Sequence, residues 1–290
     1  MSSVLTGVLA YGSSLFTIVA LYPYRDFVKS VDVRHLPRAT SLGDYCVKRY
    51  RGMLGSPSQP MLLAAPHAAL YFGYLFAAGG TAGGLLGGFL FGYTKTFVRT
   101  VAHRMNGGGS RYNKLEQRGY SGLLDCIVLS AKHYGVLSFF PGSLAASAVG
   151  ILWYGISLAA LQQTYSRSFG EDLWTAFRIH ALLTFLTAPV RNTVRSSTYR
   201  NERSGGVHTL RDYVAAEAAV FREAGGVFRS MAREEGLRFF FNGALRTTFK
   251  SSVPFAVTYA LFKAIGGSIG LPTNGTYRGV HTGRHFSRRG

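Results

Sequence analysis

The chain has 290 residues, with 32 Lys plus Arg against 13 Asp plus Glu, a formal net charge of +19, and 36 Gly beside 21 Phe and 17 Tyr. That length could hold two soluble domains, but its charges are segregated in a way that no ordinary soluble core requires. The bases bracket apolar runs instead of forming one stripe with exposed aromatics, which argues against a nucleic-acid-binding protein.

In chain order, residues 1–24 carry no Asp, Glu, Lys or Arg, and neither do 52–94 or 133–166. Residues 173–190 carry only Arg178, and 251–277 only Lys263. A membrane-spanning helix needs about 20 mostly apolar residues. The pattern therefore predicts six spans, near 3–25, 60–76, 79–98, 143–163, 173–194 and 244–265, with a tight turn at AAGGTAGG between the second and third. The segments 25–59, 95–142 and 191–243 hold seven, seven and nine Lys or Arg, and six spans place all three on one side. By the positive-inside tendency that side is the cytoplasm or, in an organelle of bacterial origin, the matrix. The uncharged start lacks both an Arg-rich presequence and the basic flank of a secretory signal, so targeting is expected to be internal. Cys46 and Cys126 form neither a disulfide framework nor a metal-ligand set. No nucleophile–base pair, phosphate loop or metal cluster argues for an enzyme, and no cofactor is expected.

Span three is glycine-rich. Gly80, Gly84, Gly88 and Gly92 recur every four residues beside Gly79, Gly83 and Gly87, a smooth two-column face that a neighbouring backbone can approach closely. That neighbour could lie inside the fold or belong to a partner outside it.

Three segments repeat one motif. DFVK at 26–29, TFVR at 96–99 and NTVR at 192–195 each end an odd-numbered span. Gly52 follows Lys29, and Gly122 follows Arg99, by the same 23 residues. GVLSFFPG at 135–142 matches GLRFFFNG at 236–243, each just before an even span. The chain thus reads as three copies of helix, basic loop and helix: 1–76, 77–168 and 169–266, then a basic Gly-rich tail at 267–290. Gly52 to Pro60 is so short that repeat 1 is expected to lack the amphipathic loop helix.

Three tandem two-helix repeats with these motifs resemble the mitochondrial carrier family. The resemblance implies an all-α membrane protein, a six-transmembrane-helix pseudo-threefold bundle in the inner mitochondrial membrane that exchanges small anionic solutes. It also implies a matrix gate in which an acid and a base from each repeat pair with neighbouring helices. Here the bases Lys29, Arg99 and Arg195 remain, but only Asp26 is acidic, with Thr96 and Asn192 in the other two acid places. Pro23 and Pro189 stand one residue further from the acid position than in the family, which turns the kink by about 100°. A charge pair near 4 Å is worth on the order of 1 kcal/mol in water and about 4 kcal/mol at an effective dielectric near 20, so three bases facing one acid make a repulsive ring. The second gate keeps only Tyr259 and Lys263.

Arg178 and His180 on span five, with Arg246 and Lys250 on span six, are the candidate anion-binding cavity groups, because charge at membrane depth must be paired or wet. Arg246 and Lys250 could equally snorkel. Gly52, Gly122, Gly142 and Gly243 stand where the family binds cardiolipin head groups at helix N-termini, so cardiolipin is expected as a structural lipid. Two functions are carried forward. One is an accessory subunit of a large inner-membrane assembly such as a respiratory complex; the other is an active carrier of an anionic metabolite such as a nucleotide or dicarboxylate.

Overall fold

The computed structural model describes residues 2–24, 41–54, 58–77, 79–105, 120–164, 168–201, 207–234, 236 and 240–268, and among them it is all-helical. Asp26 and Lys29 lie outside the described residues, as does nearly all of the tail. The helices are α1 (Ser2–Ala20), α2 (Leu42–Leu54), α3 (Ser58–Phe76), α4 (Gly80–Met105) and α5 (Leu123–Tyr134). They continue as α6 (Ser143–Gln162), α7 (Phe169–Leu186), α8 (Ala188–Asn201), α9 (Leu210–Glu234) and α10 (Ala244–Ser268). Each expected span coincides with a helix, the fifth being divided into α7 and α8.

That division has a local cause. Pro189 has no N–H for the carbonyl four residues back, so the axis turns by 59° between α7 and Ala188–Val194. Sequence signals set other boundaries. Ser168 caps α7 by accepting from Glu171 N at 3.2 Å. Thr209 and Asp212 cap α9 reciprocally, with bonds of 3.0 and 3.1 Å. Gly79 and Gly80 take φ of 77° and 69°, which closes the turn from α3 into α4.

Six elements pack as a closed ring in chain order. α1 meets α3, α3 meets α4, α4 meets α6, α6 meets α7, α7 meets α10, and α10 returns to α1. Both glycine columns of α4 are used inside this ring. A Cβ at Gly84 would lie 2.5 Å from the Gly155 carbonyl oxygen, and one at Gly88 2.7 Å from Ile151 Cα. Gly83 and Gly87 face the carbonyls of Tyr74 and Leu70 on α3 in the same way. The α6 backbone adapts to this approach with a π turn at Ile151–Gly155.

Repeat 1 departs from expectation, because a loop helix is present. α2 stands ahead of Gly52, which falls in its last turn, whereas α5 follows Gly122. Lys48 pairs with Asp44 at 2.8 Å along α2, and the hydroxyls of Tyr45 and Tyr50 donate to Pro23 O and Ala20 O. The helix uses the residues before the glycine, since too few follow it.

Polar side chains are buried beside the apolar core, and large apolar ones are exposed. Ser14, Thr17, Thr96, Ser157, Asp172, His180, Ser252 and Lys263 are buried, while Phe16, Phe76, Trp174, Leu182, Leu186 and Leu245 are exposed. Among the described residues, Ser143–Gln162 is long and apolar enough to cross a membrane, and Phe169–Leu186 with Ala188–Val194 is a second, bent candidate. Gly7–Ala20 and Pro60–Phe76 are apolar but shorter. α4 and α10 have the length, but the glycines, hydroxyls and cations they turn inward lower their mean hydropathy.

Candidate functional site: a cationic cavity within the ring

The three loop helices α2, α5 and α9 lie at one end of the ring. A cavity of about 460 Å³ occupies the half nearer that end. α4 lines it with Phe91, Lys95, Thr96 and Arg99, α8 with Arg191, and α10 with Lys250. His67 of α3 and Trp153 and Tyr154 of α6 form the aromatic side. Its described lining contains these four cations and no carboxylate.

Aromatic faces position two of the cations. Lys95 Nζ lies 5.3 Å from the Phe91 ring and 5.6 Å from that of Trp153, and Arg191 Cζ also lies 5.6 Å from the Trp153 ring. Arg191 also donates to Asn192 Oδ1 at 3.0 and 2.6 Å.

Neither residue at the two positions where the resemblance leads one to expect an acid offers its side chain across the ring in these bonds. Thr96 is buried and donates to Gly92 O of its own helix at 3.1 Å. Asn192 Nδ2 donates to Phe240 O at 2.9 Å and Asn242 O at 3.3 Å, in the turn that leads into α10 of its own repeat. Arg99 is half-buried in the lining, and Arg195 stands in α8.

Of the four groups expected in an anion cavity, the described lining includes Lys250 alone. Arg178 is exposed, 5.6 Å from the Trp174 ring, and Arg246 is exposed near the start of α10. His180 is fully buried beneath the cavity. Its Nδ1 is 3.0 Å from Ser157 Oγ, and its ring stacks on Phe255 at 4.3 Å and meets Tyr154 at a tilt, 4.5 Å away. Tyr154 in turn contacts Phe91 at 3.8 Å, so rings from α4, α6, α7 and α10 form a floor across the interior. Lys95 and Arg191, each directly before an expected acid position, line the cavity although they were not among the four groups expected there.

A second feature lies toward the opposite end of α7 and α10, between these two neighbouring helices. Lys263 Nζ meets Asp172 Oδ1 at 2.5 Å, with both side chains at least nine-tenths buried. Asp172 sits in the first turn of α7, where its charge suits the helix dipole, and Lys263 lies five residues before the end of α10. The second gate was expected to have almost no ionic partners. Its remaining base instead pairs within repeat 3, and the signal was a lone charge in the apolar run 251–277, which demands a partner.

The expected head-group sites differ in occupancy. Gly122 precedes α5, and Gly142 and Gly243, at φ of 75° and 66°, precede α6 and α10. At Gly142 the amides are already taken: Ser143 N and Leu144 N donate to the two carboxylate oxygens of Glu217 on α9, at 2.7 and 3.2 Å. Burial raises the Glu217 carboxyl above its usual 4.5, against the lowering effect of its bonds from Ser143, Leu144 and Tyr213. The folded chain thus binds this proton more tightly than the unfolded one. The associated stability is fully present below about pH 4.5 and is lost as pH rises through the raised value. Glu217→Gln is expected to remove that loss, seen as a narrowing gap in melting temperature across an acid-to-neutral titration. Parallel curves for the two proteins would refute it.

No protein-family profile matches the chain, and no curated protein sequence matches it.

Proposed function

We propose that the chain is a carrier-fold protein of the inner mitochondrial membrane, crossing it as a six-helix pseudo-threefold bundle with its basic loops in the matrix. In this reading it acts as an accessory structural subunit of a large inner-membrane complex such as a respiratory complex, with cardiolipin as structural lipid and no catalytic role. The threefold motif and the closed ring in chain order support the fold. The exposed large apolar side chains, together with hydroxyls and charges buried within the bundle, support the membrane setting.

One observation carries the structural role. At Thr96 and Asn192, where an alternating carrier needs acids that break and remake pairs with neighbouring repeats, hydrogen bonds stay within the same repeat. A gate has become a staple. Restoring carboxylates with Thr96→Asp plus Asn192→Asp is therefore expected to confer no solute exchange on proteoliposomes, and uptake above empty vesicles would refute this.

The direct test is native size after mild-detergent solubilisation of mitochondria. Comigration with a respiratory complex or another megadalton assembly is expected. Migration near the size of a lone carrier in its micelle would overturn the subunit reading in favour of transport. The cationic cavity favours that second reading, a carrier of an anionic metabolite.

A further inference from the structure

We infer that the outer face of α9 is a docking surface for an acidic amphipathic helix of a neighbouring protein. The inference deepens the structural-subunit reading and rests on it, since it names the surface by which the bundle joins its assembly.

The buried side of α9, with Glu217, Val220 and Val227, packs on α8 and on the start of α6. Its outer side is exposed and ordered in rows seven residues apart. Val214, Phe221 and Phe228 make an apolar row, and Phe228 stays exposed although it stacks on Phe240 at 4.7 Å. Ala218, Gly225 and Ala232 make a second row of small exposed residues, and Arg222 and Arg229 a third, basic one. Each row stands four residues on from the one before, which turns it by about 40° round the helix. The small residues therefore floor a furrow between an apolar ridge and a cationic ridge.

A furrow with this period admits the side-chain row of a second helix, as in a coiled-coil seam. Nothing lies within 4 Å of a Cβ added at Gly225 or at Gly226, so neither glycine serves the described bundle. Two glycines in mid-helix weaken a helix, a cost that the close approach of another backbone offsets. A fluid lipid surface needs no furrow, which favours a helix as the occupant.

Charge sets the chemistry of that helix. Arg211 and Arg233 continue the basic ridge towards the two ends of α9, and none of the four arginines makes an ion pair or hydrogen bond with a described residue. The acids Asp212, Glu223 and Glu234 lie about 100° further round, away from the furrow. A second copy of this chain would bring the same arginines against these and is disfavoured. The segments 25–40, 106–119 and 269–290 each hold more Lys and Arg than Asp and Glu, so they do not supply the missing acids. The occupant is a helix of another protein that carries apolar residues seven apart with Asp or Glu beside them, where the guanidinium groups can pair with carboxylates two bonds at a time.

The test places the photo-cross-linker p-benzoylphenylalanine at position 218, in place of Ala218, in the full-length chain in mitochondria, and identifies the attached molecule by mass spectrometry. Attachment to a segment of another protein with that apolar and acidic pattern is expected. Arg222→Glu with Arg229→Glu is expected to lower the cross-link yield at least about tenfold. The melting temperature in detergent is expected to hold, because both side chains are exposed. Gly225→Leu fills the furrow and is expected to lower the yield likewise, without lowering the melting temperature. Attachment to phospholipid alone, attachment to a segment without carboxylates, or yields unchanged in these folded variants would overturn the docking surface. Native size separates this result from the subunit reading. Megadalton migration without a peptide cross-link removes the docking surface alone. A patterned cross-link on a chain that migrates as a lone carrier keeps the surface and removes the stable subunit, and a lone carrier with no cross-link removes both.

Discussion

Replacing Gly92 with alanine is expected to destabilise the bundle by about 3 kcal/mol, the upper part of the range for overpacking a tight interface. A Cβ there would fall on the Ala146 carbonyl oxygen and Ser147 Cα, and both are backbone, so no rotamer change relieves it. α4 and α6 must separate, which also breaks the reciprocal approach of Gly150 to Gly88 and the short approach of Gly84 to Gly155. Gly88→Ala is expected to behave alike. Gly225→Ala provides the contrast, because on α9 nothing lies within 4 Å of the added carbon, and removing a helical glycine gains up to about 1 kcal/mol. Thermal unfolding in detergent measures both. If Gly92→Ala melts with Gly225→Ala, the interlocked glycine contact is wrong.

The second large effect concerns the buried pair between α7 and α10. Asp172→Ala or Lys263→Ala leaves one charge buried without its partner and is expected to cost about 3–5 kcal/mol. Removing both with Asp172→Leu and Lys263→Leu is expected to recover most of that loss, because two apolar groups carry no desolvation penalty. The double-mutant cycle in melting experiments isolates the coupling. Additive losses would mean that the two residues act independently. In a subunit that keeps one conformation, the recovered double variant also retains its place in the native assembly.

The six-helix plan was legible because its signals are periodic and local. Charge-free runs of span length, the glycine pair before α4, Pro189 at the bend and the caps at Ser168 and Thr209 each act within a few residues. The loop helix of repeat 1 was misread because the copies were aligned by their glycines, whereas α2 forms upstream of Gly52 around Asp44 and Lys48. The cavity lining was only partly legible. Lys250 was identified, but Arg178 and Arg246 were chosen for position along a span, and the rotation of each helix about its axis comes from packing.

Sequence alone determined that this chain makes helices of about these lengths, with most of its bases gathered in three segments between apolar runs. Those properties follow from spacing, hydropathy and charge. Tertiary structure decided which side of each helix faces inward. It assigned both glycine columns of α4 to neighbours within the ring, joined Asp172 to Lys263 across 91 residues, and turned Thr96 and Asn192 to partners in their own repeats. It also set Glu217 on the α6 N-terminus, where a head group was expected. The physical reason is that close packing, pairing and burial are properties of two or more segments at once, and no single segment specifies its partner.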